Sequence, residues 1–143
     1  MIAKQCGGVL PGPGDEPAPV LPATVLPRLH EAMDDLALHR ALEIVWEGVG
    51  EANRYFADAA PWALRKTDPA RADAVLYWTA ETVRQLAILV RWAIPESADR
   101  LLDQLDVAAD ARDLAALAAP LAAGTTLPAP AGVFPRLDAP ADE

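Results

Sequence analysis

Three prolines divide the middle of the chain into segments of helical length. Pro61, Pro69 and Pro95 stand at the edges of two runs with apolar periodicity, and proline is tolerated in the first turn of a helix but not in its interior. Between Pro69 and Pro95, residues Ala72, Val75, Leu76, Thr79, Val83, Leu86 and Val90 recur at helical steps, which marks one buried helix face. Tyr77, Ile88, Leu89 and Trp92 add apolar surface elsewhere around this segment. A helix so apolar around its circumference is expected at the centre of a bundle. Upstream, Leu42, Val45, Trp46, Val49, Ala52 and Phe56 form a second predicted stripe, with Arg40, Glu43, Glu47, Glu51 and Arg54 opposite. Pro61 stops that helix because it disfavours helical geometry at Ala60. Asp68 then caps the next helix, with Pro69 at its first position.

The flanks are less regular. Met1–Gln5 reads as the last turn of a helix, stopped by Gly7-Gly8, since glycine accepts the left-handed conformation. Pro11–Pro22 reads as a connector. A further helix is expected from Ala23, with Thr24 as cap, Pro27 in the first turn, and Leu29, Met33 and Leu36 as its stripe. Gly48 and Gly50 each cost a helix interior about 1 kcal/mol relative to alanine, so close approach of a neighbouring helix is their expected use. Beyond Pro95, Ala98, Leu101, Leu102 and Leu105 mark a short amphipathic helix, and "ADARDLAALAAPL" another. Phe134 and Leu137 are expected to anchor a Pro-rich tail, and the end reads as frayed. The expected architecture is therefore an all-α antiparallel helix bundle with an irregular Pro-rich C-terminal tail. Its expected divisions are residues 1–22 as helix end and connector, 23–137 as the helical domain and 138–143 as the frayed tail.

Several chemistries find no support. The single cysteine, Cys6, excludes an intrachain disulfide. No run approaches the roughly 18 apolar residues of a membrane span, and no secretory signal is visible. His30 and His39 with one cysteine make an improbable zinc site, and Glu43, Glu47 and Glu51 step along one face without a histidine. Neither a metal site nor a catalytic residue is expected. Gly12 and Gly14 precede no strand–helix turn that would cradle phosphate.

The net charge of −9 argues at first against a nucleic-acid partner. Its distribution says more: residues 1–53 sum to −5, residues 54–91 to +2 and residues 92–143 to −6. The cation-rich section takes in all but the first three residues of "EANRYFADAAPWALRK", where Trp62 follows a helix end beside Arg65 and Lys66. On the residues alone Trp62 is either a plug closing the core or a platform held out for a ligand, and burial favours the plug.

The order of motifs adds a resemblance. "ALEIVWEGVGEANRYFADAAPWALRKTDPAR", "VLYWTAETVRQLAILVRWAIPESADRLLDQL" and "LPAPAGVFPRL" resemble, over about residues 1–137, the C-terminal anticodon-binding domain of bacterial methionyl-tRNA synthetase. The coupled "ANRY" and "APWALRK" are the most specific part, and Arg91-Trp92-Ala93-Ile94 before Pro95 departs from the family pattern. The resemblance implies the bundle of the class I synthetases and a parent enzyme that joins methionine to its tRNA with ATP and Mg. The catalytic domain, with its HIGH-like and KMSKS-like signatures, does not occur here, so this chain is expected to be an inactive C-terminal fragment without cofactor. The family's first helix, with two further anticodon readers, would lie upstream of Met1. Its absence is expected to uncover apolar surface and favour self-association. The implied partners are the anticodon loop of methionine tRNA and the N-terminal catalytic domain, in the cytoplasm, with no membrane or DNA.

By the same resemblance Trp62 aligns with the anticodon-contacting tryptophan, which moves it from plug to base-stacking platform. Asn53 is expected to brace the loop or hydrogen-bond a base. Arg54, Arg65, Lys66 and Arg71 are expected to meet phosphates weakly. Trp46 and Trp78 are expected to pack between helices. The competing reading, from acidic charge and alanine-rich faces, is a non-catalytic helical protein–protein module.

Overall fold

Helix α5 organises the fold. In the computed structural model, which describes residues 1–18 and 21–134, the elements are α1 (Ile2–Gln5), α2 (Leu21–Asp34), α3 (Leu38–Ala59), α4 (Pro61–Thr67), α5 (Pro69–Val90) and α6 (Pro95–Gln104), followed by 3-10 turns at Ala109–Ala111 and Ala115–Ala118. Asp68 caps α5 by accepting from the Arg71 amide at 3.0 Å, with Pro69 at the first position, so the predicted start holds. α5 packs against α2, α3, α4 and α6. Two apolar clusters flank it. Leu21, Val25, Leu29, Ala41, Ile44, Val45 and Leu89 fill one side. Leu10, Tyr77, Ile88, Leu102 and Leu105 fill the other. The expectation of a central helix with neighbours on more than one side is met.

Helix α2 starts earlier than expected, and Pro27 lies inside it. Thr24 does not cap; its hydroxyl donates to the Leu21 carbonyl at 3.1 Å within the helix. The interior proline removes one backbone hydrogen bond, but Leu21, Val25, Leu29 and Ala32 form one buried stripe across it. Pro27 and Ala23 face solvent, where water can satisfy the carbonyl that proline leaves without a donor. Leu36 is not part of the stripe. It closes α2 in the left-handed conformation (φ 56°), 83% exposed, with the Ala37 amide donating back to the Ala32 carbonyl at 2.8 Å.

The stripe of α3 is rotated from the predicted one. Ala41, Ile44, Val45 and Gly48 are buried, whereas Leu42 and Trp46 are exposed, Trp46 by 60%. Trp46 is therefore not a packing tryptophan. Gly48 does permit close approach: a Cβ there would stand 2.8 Å from Leu21 Cδ1. Gly50 faces open space, so the same expectation fails for it.

The irregular flanks join through hydrogen bonds that no periodicity announced. The Leu10 amide donates to the Thr125 carbonyl and the Leu127 amide to the Gly8 carbonyl, each at 2.8 Å. Gly7 and Gly8 take positive φ after α1, as their role as a stop requires. Behind α5, Arg84 donates through Nη2 to Glu81 Oε1 at 2.6 Å and through Nε to Oε2 at 2.9 Å. Both side chains are buried. The pair also holds the C-terminal segment: the Leu121 amide donates to Glu81 Oε2 at 3.0 Å, and Arg84 Nη1 donates to the Ala116 carbonyl at 3.0 Å. The "ADARDLAALAAPL" stretch forms two 3-10 turns on this frame rather than a helix. In the tail, Val133 is buried while Phe134 is 68% exposed, so Phe134 is not the anchor. Leu137 and the expected frayed end lie outside the described residues.

Candidate nucleic-acid interface

The joint between α3 and α5 presents the candidate residues. Pro61 excludes helical geometry at Ala60, and Ala60 adopts the left-handed conformation (φ 44°, ψ 60°). The chain reverses there without leaving helix for long. The Ala60 carbonyl accepts from the amides of Ala63 and Leu64 at 2.8 and 3.1 Å, which starts α4. Pro61 is fully buried and pins the turn. Trp62, the next residue, is 53% exposed. Its ring meets Phe56 of α3 edge-to-face, with centroids 5.8 Å apart and planes at 63°. Half of the indole is thus supported from below and half is free, which a plug would not be. Sequence reasoning had no sign of α4 as a separate helix, because seven residues hold too little periodicity to register.

Asn53 is exposed and lies one turn before Phe56 on the same side of α3. Among the described residues its side chain makes no hydrogen bond, so it does not brace the loop. Its amide is available to a ligand. Arg54 and Lys66 are exposed, and neither has an ion-pair partner among the described residues. The other two cations are engaged. Arg65 Nη2 donates to Asp73 Oδ1 at 2.7 Å, and this contact with Asp73 pushes the guanidinium pKa further up. Arg71 Nε donates to Glu16 Oε2 at 3.1 Å, with the same consequence. The remaining cations of the 54–91 section, Arg84 and Arg91, pair with Glu81 and Asp99. Of the six cations in this section, Arg54 and Lys66 alone have no ion-pair partner among the described residues, and Asp58 and Asp68 likewise have none, so the section's positive excess is offset by the anions Glu16 and Asp99 that reach in from outside it.

The connector supports this face. Trp78 Nε1 donates to the Glu16 carbonyl at 3.0 Å and stacks edge-to-face on Tyr77, so Trp78 packs as expected. Tyr55 is held near Glu16 and Arg71, and burial pushes its phenol up to about 12. Among the described residues no group of three or more His, Cys, Asp or Glu could hold a metal ion. No described helix is long and apolar enough to cross a membrane.

The described residues thus form an all-α bundle whose joint between α3 and α5 offers a half-exposed indole. The family model described as the anticodon binding domain of methionyl tRNA ligase matches residues 21–143, and the chain belongs to that family. The methionine–tRNA ligase of Brucella suis is 54% identical over 142 residues, 95% of this chain and 28% of the relative. That of Mesorhizobium japonicum is 50% identical over 143 residues, again 28% of the relative. The crystal structure of the apo methionyl-tRNA synthetase of Mycobacterium tuberculosis superposes with a TM-score of 0.89 at 41% identity, covering 98% of this chain and 30% of that one. The chain thus spans less than a third of the length of these relatives, and its helical fold is that of their anticodon-binding region.

Proposed function

We propose that this chain is the tRNA-binding part of a methionine–tRNA ligase and engages the anticodon loop of methionine tRNA through Trp62. The observation that carries the reading is the half-exposed indole, seated on Phe56 and one helical turn before Lys66, which has no ion-pair partner among the described residues. An indole so held stacks on an unstacked loop base without first paying to order itself. Asn53 adds an amide for a base edge, and Arg54 and Lys66 meet the phosphates. Arg65 and Arg71, tied to Asp73 and Glu16, contribute less to that contact. Aminoacylation with ATP and Mg would be the work of a catalytic domain on the remaining length of the enzyme, in the cytoplasm, with this chain supplying recognition. None of the residues placed here performs the chemistry.

The test is binding of an RNA hairpin carrying the methionine anticodon loop, by wild type and Trp62→Ala at matched salt. Loss of one stacked base predicts a drop of about 5- to 150-fold. Equal binding by both proteins would remove Trp62 from the interface.

A further inference from the structure

Arg65 stands one helical turn beyond Trp62 in α4. Among the described residues, every side-chain hydrogen bond that leaves α4 comes from it. Nη2 donates to Asp73 Oδ1 at 2.7 Å and to Cys6 Sγ at 3.4 Å, and Nε donates to Gln5 Oε1 at 3.3 Å. The Cys6 thiol completes the cluster by donating to the same Asp73 oxygen at 3.5 Å. The α4 helix needs such ties. It has seven residues and no side-chain cap at its N-terminus, and a helix this short is not stable by itself. Its apolar hold is buried Pro61, half-buried Leu64 and the edge contact of Trp62 with Phe56. All three lie in the first turn, which leaves the Arg65 contacts to tie the second turn and so fix rotation about the helix axis.

We propose that Arg65 and Asp73 are positioning residues for Trp62. Their ion pair sets the rotation of α4 and so the angle at which the indole is offered. Because the same guanidinium holds Gln5 and Cys6, the presentation of Trp62 is tied to the helix end α1. This rests on the stacking role of Trp62, and it assigns Arg65 a different task from phosphate contact. A guanidinium already neutralised by a carboxylate releases little counterion when RNA arrives. The planar fork suits a guanidinium that must span three partners, which a lysine ammonium cannot do from one point.

A double-mutant cycle decides between the two roles. The proteins are wild type, Arg65→Gln, Asp73→Ala and the double variant, titrated with the anticodon hairpin over a range of salt. As positioning residues, each single variant weakens binding by about threefold to tenfold, and the double variant is no weaker than the more affected single. The slope of log K against log salt stays at the wild-type value in all four. Arg65→Lys, which keeps the charge but not the fork, weakens binding as Arg65→Gln does. The proposal is overturned if Asp73→Ala binds as tightly as wild type while Arg65→Gln loses about 0.7 of salt slope, the signature of one phosphate contact on a single strand. It is equally overturned if Arg65→Lys binds like wild type. A further arm needs no RNA: acrylamide quenching of the Trp62 emission, taken as the difference from Trp62→Phe, rises in Asp73→Ala. Unchanged quenching refutes the positioning role. Trp62→Ala binding like wild type would sink the stacking role alone, because the quenching arm still judges the ion pair.

Discussion

Replacing Arg84 by methionine tests how the C-terminal third is held. Methionine keeps the length and apolar stem but removes the guanidinium. Glu81 is 1% exposed, so its carboxylate would keep only the Leu121 amide and the Gln85 side-chain amide as donors. Breaking one partner out of a buried pair costs about 3–5 kcal/mol. The Ala116 carbonyl loses one of its two donors and keeps the Ala119 amide at 3.2 Å. Against a domain stability of about 5–15 kcal/mol, this is a large fraction. Urea unfolding followed by far-UV circular dichroism reads it directly. For a domain of this size the melting temperature should fall by about 10–15 °C. The double variant Glu81→Leu/Arg84→Met removes the stranded charge and should be less destabilised than the sum of the singles. It should not return to wild type, since the Leu121 amide and the Gln85 side-chain amide then lose Glu81 as acceptor, at about 1–3 kcal/mol for each group left buried. Amide exchange at Leu121 should accelerate in every variant. The reasoning is refuted if Arg84→Met unfolds within 1 kcal/mol of wild type, as about the worth of an exposed ion pair, or if the two single effects simply add.

Other substitutions probe the helices. Gly50→Ala should stabilise by about 1 kcal/mol in urea unfolding, because it adds helix propensity in open space. Gly48→Ala should fall at least about 1 kcal/mol short of that gain, because its Cβ must displace packed Leu21. Leu36→Gly should raise stability by about 0.5–1 kcal/mol, since the position is left-handed and exposed. Asp99 has its pKa lowered, chiefly by the hydrogen bond from Arg91 and further by Arg112. A lowered folded-state pKa gives stability that is full above the unfolded value and is lost as pH falls through the folded one. Asp99→Asn should therefore flatten the stability curve below about pH 4 and leave its shape between pH 5 and 7 unchanged, as measured by thermal melts.

Legibility differed between the helices and the site. The span of α5 and the stop at Pro61 could be read because proline acts through local backbone sterics. The apolar pattern of α5 tolerates rotation, since the helix is buried on most sides. In α3 the predicted stripe ran through Leu42 and Trp46, whereas the buried face is Ala41, Ile44, Val45 and Gly48. Glycine contributes no hydropathy to a periodic pattern, yet its missing side chain is what lets Leu21 of α2 come close, so packing turned the helix toward Gly48. At the site, the motif pointed to Trp62 and the charge count to four cations. Two of those cations are spent on Asp73 and Glu16, partners in other elements that no local spacing links to them.

The sequence by itself determined the helical class, the proline-set breaks, the central place of α5 and the family of the domain. These follow from short-range sterics, periodicity and motif order, which are all present along the chain. Only the tertiary structure decided that Trp62 is half-exposed with its ring edge-to-face on Phe56. It alone decided that Arg65 faces a carboxylate rather than solvent, and that Glu81 and Arg84 hold the C-terminal segment from inside the core. Each of those depends on which groups meet across elements, and a linear pattern does not encode the distance between them.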